Sequence, residues 1–201
     1  VPVPVLDDHR MDLDEVRRMV EQLEQDGLLP YAVVSTCGTT DYGSIDPLEG
    51  LADFCEEKGL WLHVDAAYGA GLLLSEKHNG KLAGIDRADS VTLDFHKWLF
   101  QPISCGMFAV KDRKHLRLLS HHADYLNPVE DEEEGIVNLV NKSIQTTRRF
   151  DALKVLLTLK VLGTRLLGSM VDRTMEVASF AAEELGRREA FRVENPSPEL
   201  S

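Results

Sequence analysis

The sequence lacks long apolar runs, and the stretch around Leu72 to Leu74 shows how short they are. A helix that crosses a bilayer needs about 20 consecutive apolar residues, so we expect no membrane span and no membrane partner. A basic segment leading into an apolar one is also lacking, and we therefore expect no signal peptide. These absences predict a cytoplasmic protein.

Cysteine and basic residues are both scarce. The three cysteines, Cys37, Cys55 and Cys105, are widely spaced and form no Cys-x-x-Cys pair, which favours reduced thiols over a disulfide framework or a zinc site. Acidic residues outnumber basic ones 34 to 22, for a net charge of −12. Such a charge repels nucleic-acid phosphates, so we expect no nucleic-acid partner.

The composition that remains is that of a globular protein. Of 201 residues, 43% are apolar and 28% are charged, and a chain of this length can bury roughly 70% of the surface of its unfolded form. The chain begins at Val1 rather than at a methionine. We therefore expect it to be part of a longer protein.

Helical and extended patterns alternate along the chain. Asp12 predicts the start of a first helix that ends at Gly27, and Asp46 followed by Pro47 predicts a second helix that ends at Gly59. Helical spacing of apolar residues begins again near Thr146. β-branched and apolar runs predict strands over 31–35, 60–64, 90–93 and 106–110. This alternation predicts an α/β fold with a mostly parallel sheet.

Polar groups follow three of these predicted strands: residues 36–40, Asp65, and the pair His96 and Lys97. Ligands of parallel α/β sheets bind beyond the carboxyl ends of the strands. Alone, Asp65 is more typical of a turn and Lys97 of a solvated surface. Together, a lysine and a carboxylate at one sheet edge suit pyridoxal phosphate, whose aldehyde reacts with an amine and whose ring nitrogen needs an acid partner.

Four motifs in order, STCGTTDYGSIDP, HVDAAYG, DSVTLDFHKW and QTTRRFDALK, resemble the group II pyridoxal-phosphate-dependent amino-acid decarboxylases. The resemblance runs from about Tyr31 to Gly163. It implies an aspartate-aminotransferase-like (fold type I) α/β large domain, incomplete in this chain, and a homodimer. Residues 1–163 would be the central part of the cofactor domain, 164–194 a helical connection, and 195–201 the start of a C-terminal small domain.

The resemblance also implies a role for each motif residue. Lys97 would form the Schiff base with pyridoxal 5'-phosphate, and Asp65 would pair with the pyridinium nitrogen. Ala67 would pack on one face of the ring, and Thr40 would form a hydrogen bond near Asp65 and the cofactor. His96 would lie on the phosphate side.

Tyr125, in HHADYLNP, resembles the tyrosine of the family's mobile catalytic loop, which would return a proton to the substrate. Asn127-Pro128 and the acidic residues after it favour a loop. Where many family members have asparagine, this chain has Asp94. A carboxylate repels a phosphate, so Asp94 is not assigned as a ligand.

The implied reaction is decarboxylation of an L-amino acid. QPIS, DYLNP and NKSIQTTRRFDALK resemble the bacterial enzymes that act on diamino acids, particularly L-2,4-diaminobutyrate, with lysine and then aromatic amino acids as alternatives. A transaminase or lyase of the same fold, and a non-catalytic truncated paralogue, also stay open. A metal site at His121, His122 and Asp124 is disfavoured, because adjacent side chains rarely face one ion.

Overall fold

The computed structural model describes residues 1–119, 134–135, 139–143, 145, 147–195 and 200. The three α-helices among these residues are α1 (Leu13–Gln25), α2 (Leu48–Lys58) and α3 (Ala152–Gly186). The strands are β1 (Ala32–Thr36), β2 (Trp61–Asp65), β3 (Ser90–Asp94) and β4 (Gly106–Val110). Short 3-10 turns fill much of the chain between β2 and β3.

The four strands form one sheet in the order β1-β2-β3-β4. The first three strands are parallel and β4 is antiparallel to β3, so the predicted mostly parallel sheet is confirmed. Thr36 lies opposite Asp65 in the register of β1 and β2. The carboxyl ends of three strands therefore meet at one edge, as the sequence predicted.

Both early helices lie where the sequence placed them, but Asp12 and Asp46 act differently. Asp12 is the N-cap of α1, and its carboxylate accepts hydrogen bonds from the backbone N–H groups of the first turn. Asp46 does not cap α2, which has Pro47 at its N-cap position. The buried carboxylate of Asp46 instead accepts hydrogen bonds from the N–H groups of Met11 (2.7 Å) and Thr36 (2.6 Å).

The core lies between the sheet and the helices that cover it. Val16 of α1, Leu51 of α2, Leu62 and Val64 of β2 and Val171 of α3 are almost completely buried. Since the apolar residues of β2 alternate with half-buried ones, this strand packs its most buried face against the helices.

Helix α3 begins at Ala152 rather than near Thr146, and Gly163 interrupts it. The backbone of Gly163 has φ 73° and ψ 163°, a conformation that favours glycine and breaks the helical hydrogen-bond pattern. The segment after Gly163 packs Val171 into the core, whereas the segment before it exposes Leu157 and Val161. In the part of the chain that the structure describes, no helix is long and apolar enough to cross a membrane.

Candidate functional site

The polar edge of the sheet opens into a cleft of about 480 Å³, within the usual range for small-molecule sites. The loop after β1 supplies Thr40, the end of β2 supplies Asp65, the turn after β2 supplies Ala67, and the turn after β3 supplies Lys97. Four of the six predicted site residues therefore line one cleft, although they are far apart in the sequence.

Asp65 ends β2 with its carboxylate at the cleft. Its Oδ1 accepts a hydrogen bond from the backbone N–H of Ala67 (3.0 Å), which fixes the turn. Its backbone carbonyl accepts from the N–H of Cys37 (2.8 Å) and so joins this turn to the loop after β1. Among the described residues none bonds to Oδ2 of Asp65. That oxygen is available to a donor in the cleft.

Lys97 lies in the turn after β3, with 43% of its side chain exposed. Its backbone N–H donates to the carbonyl of Asp94 (3.2 Å), and its Nζ lies 3.1 Å from Oδ2 of Asp94. The amine therefore forms an ion pair with the residue that ends the same strand. The sequence predicted the position of Lys97 but not this ion pair, although a separation of three residues within a turn was a usable signal.

His96 does not line the cleft with the other predicted residues. Its Nδ1 lies 2.9 Å from the carbonyl oxygen and 3.1 Å from the backbone nitrogen of Cys105. Its Nε2 lies 3.9 Å from Oδ2 of Asp94. The ring is thus held beside the Lys97 turn, and a contact with the cofactor's phosphate stays a prediction.

The sequence did not predict that the ring of Trp98, the residue after Lys97, stacks on the ring of Tyr68. The rings of Tyr68 and Trp98 are parallel within 2° and their centroids are 5.1 Å apart. Trp98 is 3% exposed, and its Nε1–H donates to Oγ1 of Thr174 on α3 (2.7 Å). Gly71 lets the indole lie close, because a Cβ there would be 3.0 Å from the ring. This stack fixes the backbone that carries Lys97.

Tyr125 lies outside the described residues, as do His121, His122 and Asp124. Within the described ranges, no group of three histidine, cysteine, aspartate or glutamate side chains is arranged to hold a metal ion. The charged residues that line the cleft itself are Asp41, Asp65 and Lys97.

A family model for the pyridoxal-dependent decarboxylase conserved domain matches residues 2–200. The chain is 47% identical over 184 residues to L-2,4-diaminobutyrate decarboxylase of Acinetobacter baumannii, covering 90% of this chain and 36% of that protein. It is 36% identical over 193 residues to aromatic-L-amino-acid decarboxylase of Bacillus atrophaeus, covering 95% and 40%.

The similar solved structures include the glutamate decarboxylase domain of diaminobutyrate-pyruvate transaminase and L-2,4-diaminobutyrate decarboxylase from Vibrio parahaemolyticus. The TM-score is 0.82 at 34% identity, over 99% of this chain and 37% of that one. This likeness confirms the predicted fold class. The chain spans a little over a third of the length of these relatives.

Proposed function

The chain belongs to the pyridoxal-dependent decarboxylase family, and we propose that its protein decarboxylates an L-amino acid with pyridoxal 5'-phosphate as cofactor. The observation that carries the proposal is the meeting of Lys97 and Asp65 in one cleft at the carboxyl edge of the sheet. A transaminase of the same fold would use the same two groups, but the family match favours decarboxylation.

The residues of the cleft fit this cofactor. Lys97 offers an amine for the aldehyde, and Asp65 keeps one carboxylate oxygen for the ring nitrogen. Ala67 lines the cleft with a side chain small enough to lie against a flat ring. When bound, the protonated ring supplies an electron sink for the carbon–carbon bond that breaks.

The residues of this chain would then hold the cofactor and supply a proton to the substrate. Lys97 holds the cofactor through Nζ, and the charge of Asp65 keeps the proton on the ring nitrogen. Thr40, which also lines the cleft, forms a hydrogen bond near Asp65 and the cofactor, and His96 lies on the phosphate side. From the family resemblance, the hydroxyl of Tyr125 donates the proton that replaces the carboxylate on the α-carbon.

For the substrate we propose a diamino acid, with L-2,4-diaminobutyrate first. Two relatives named L-2,4-diaminobutyrate decarboxylase are 47% and 45% identical to this chain. Relatives named for acidic and aromatic amino acids are 41% and 36% identical. Lysine and aromatic amino acids are the alternatives. The acidic balance of the chain also favours a cationic substrate.

We also propose that the protein is a cytoplasmic homodimer. Large apolar side chains are exposed on β4 and on α3, with Phe108 of β4 at 55% and Leu157 and Val161 of α3 at 52% and 78%. Exposed apolar surface of this kind is typical of contacts with a partner. The three cysteines are buried and form no disulfide, consistent with a reducing compartment.

The test is borohydride reduction of the full chain with pyridoxal phosphate, followed by peptide mapping. We expect the label on Lys97 and its loss in Lys97→Ala, whereas Lys111→Ala, which changes a lysine outside the cleft, retains it. Asp65→Ala should lower carbon dioxide release from the preferred substrate by about 10²–10³, because a charge that stabilises the reaction is lost. A label on another lysine, or normal turnover in Asp65→Ala, would contradict the proposal.

A further inference from the structure

The carboxylate of Asp94 lies against the amine of Lys97, and the proposed function gives it no role. Oδ2 of Asp94 is 3.1 Å from Nζ of Lys97. The backbone N–H of Lys97 also donates to the carbonyl of Asp94. The four-residue turn from Asp94 to Lys97 therefore sets both the backbone contact and the ion pair.

β4 provides the space in which this carboxylate lies. Asp94 is paired with Gly106 in the register of β3 and β4, and a Cβ at Gly106 would lie 2.7 Å from Oδ1 of Asp94. The side chain of Asp94 is 21% exposed. Because glycine leaves this space, the carboxylate lies over the neighbouring strand with Oδ2 toward Lys97.

Other polar groups lie beside the pair or line the same cleft. His96 presents Nε2 to the same oxygen of Asp94 at 3.9 Å. Asp65 at the end of β2 and Tyr68 in the turn after it line the cleft, and Asp41 and Tyr42 line it from the loop after β1. Among the described residues, Asp94 is the carboxylate within ion-pairing distance of Lys97.

We propose that Asp94 is a positioning residue for Lys97: its carboxylate holds the amine at the cleft in an ion pair and so limits how fast that amine reacts with an aldehyde. This inference rests on the proposed function. For the reaction, Lys97 releases a proton to solvent, its nitrogen adds to the aldehyde carbon, and water leaves as a C=N bond replaces C=O. The ion pair with the Asp94 carboxylate has to break before Nζ can add to an aldehyde.

Asp94→Asn removes the negative charge of the side chain and keeps its size and shape. The amide keeps an oxygen that can accept a hydrogen bond from Lys97 but removes the negative charge. Ion pairs as exposed as this one are worth little, so we expect the rate of aldehyde capture at neutral pH to rise by about two- to fivefold. Asp53→Asn is the matched control, because it makes the same charge change in an ion pair with Arg87 outside the cleft.

Repulsion between Asp94 and a phosphate would also slow capture, so the full chain is mixed in parallel with pyridoxal phosphate and with pyridoxal, which lacks the phosphate. Formation of the C=N bond is followed by absorbance. We expect Asp94→Asn to accelerate both aldehydes alike. Acceleration confined to pyridoxal phosphate would show phosphate repulsion and overturn the inference, as would an unchanged rate with both.

One further measurement keeps the inference testable if Asp94→Asn folds poorly, and another tests whether Asp94 acts through Lys97. Raising the ionic strength should accelerate capture of pyridoxal by the unaltered protein, because salt screens the ion pair; no acceleration would count against the inference. In a Lys97→Ala background, Asp94→Asn should leave non-covalent binding of pyridoxal unchanged, and a change there would mean that Asp94 acts without Lys97. If the unaltered protein forms no C=N bond at all, the proposed function itself fails, which is a separate outcome.

Discussion

The buried carboxylate of Asp46 ties three parts of the chain together, and its isosteric replacement should destabilise the fold. Asp46 is 6% exposed. Its Oδ1 accepts from the N–H of Met11 at 2.7 Å, and its Oδ2 accepts from the N–H of Thr36 at 2.6 Å. The same residue immediately precedes α2, so one side chain joins the segment before α1 to the end of β1.

Asp46→Asn keeps only one of the two acceptor oxygens. One backbone N–H then faces an amide NH₂ group in a site that water hardly reaches. A lost hydrogen bond to a charged group costs about 1.5–3 kcal/mol, so we expect the free energy of unfolding to fall by about 2–3 kcal/mol for Asp46→Asn and by about 3–6 kcal/mol for Asp46→Ala. These are large fractions of a typical stability of about 5–15 kcal/mol.

Asp12→Asn is the matched control for the loss of charge. Oδ1 of Asp12 accepts from the N–H groups of both Asp14 and Glu15, so a single amide oxygen can replace it. Asparagine is as good an N-cap as aspartate, and the lost interaction with the helix dipole costs less than about 1 kcal/mol. Urea unfolding followed by fluorescence measures both variants. If Asp46→Asn lowers the free energy of unfolding by no more than Asp12→Asn does, the two carboxylate oxygens of Asp46 do not stabilise the fold through separate hydrogen bonds.

Two further predictions concern buried groups near the sheet. Thr174→Val leaves the buried indole N–H of Trp98 without its acceptor and should lower the free energy of unfolding, measured with urea, by about 1–3 kcal/mol. Thr174→Ser keeps the hydroxyl and should lower it less. Equal losses in the two variants would contradict a role for the hydrogen bond. Burial, assisted by Asp89, raises the pKa of the Cys55 thiol from 9.0 to about 11. The neutral thiol is favoured in the fold, so this stabilisation is complete below pH 9 and is lost as the pH rises toward about 11. The urea midpoint should therefore fall over that interval, and Cys55→Ala should flatten the fall; an unchanged slope would exclude the thiol as its cause.

Local patterns in the sequence were sufficient for the elements and for much of the site. The β-branched runs predicted each described strand to within one residue at either end, because strand formation follows the pleated spacing of apolar side chains. The polar residues predicted at the strand ends placed Thr40, Asp65 and Lys97 at one edge, because the carboxyl ends of parallel strands must meet there. The start of α3 was placed too early, since helical spacing extends beyond the residues that adopt helical backbone angles.

Only the tertiary structure decided which residues far apart in the chain are in contact. Asp46 has the sequence of a helix cap, yet its carboxylate bonds to Thr36 and to Met11, 35 residues away. Trp98 donates to Thr174 across 76 residues, and Gly106 of β4 makes room for Asp94. The sequence determined where Lys97 and Asp65 lie, because strand ends are set by local spacing. Packing determined which groups hold them, because a hydrogen-bond partner is chosen by distance in space.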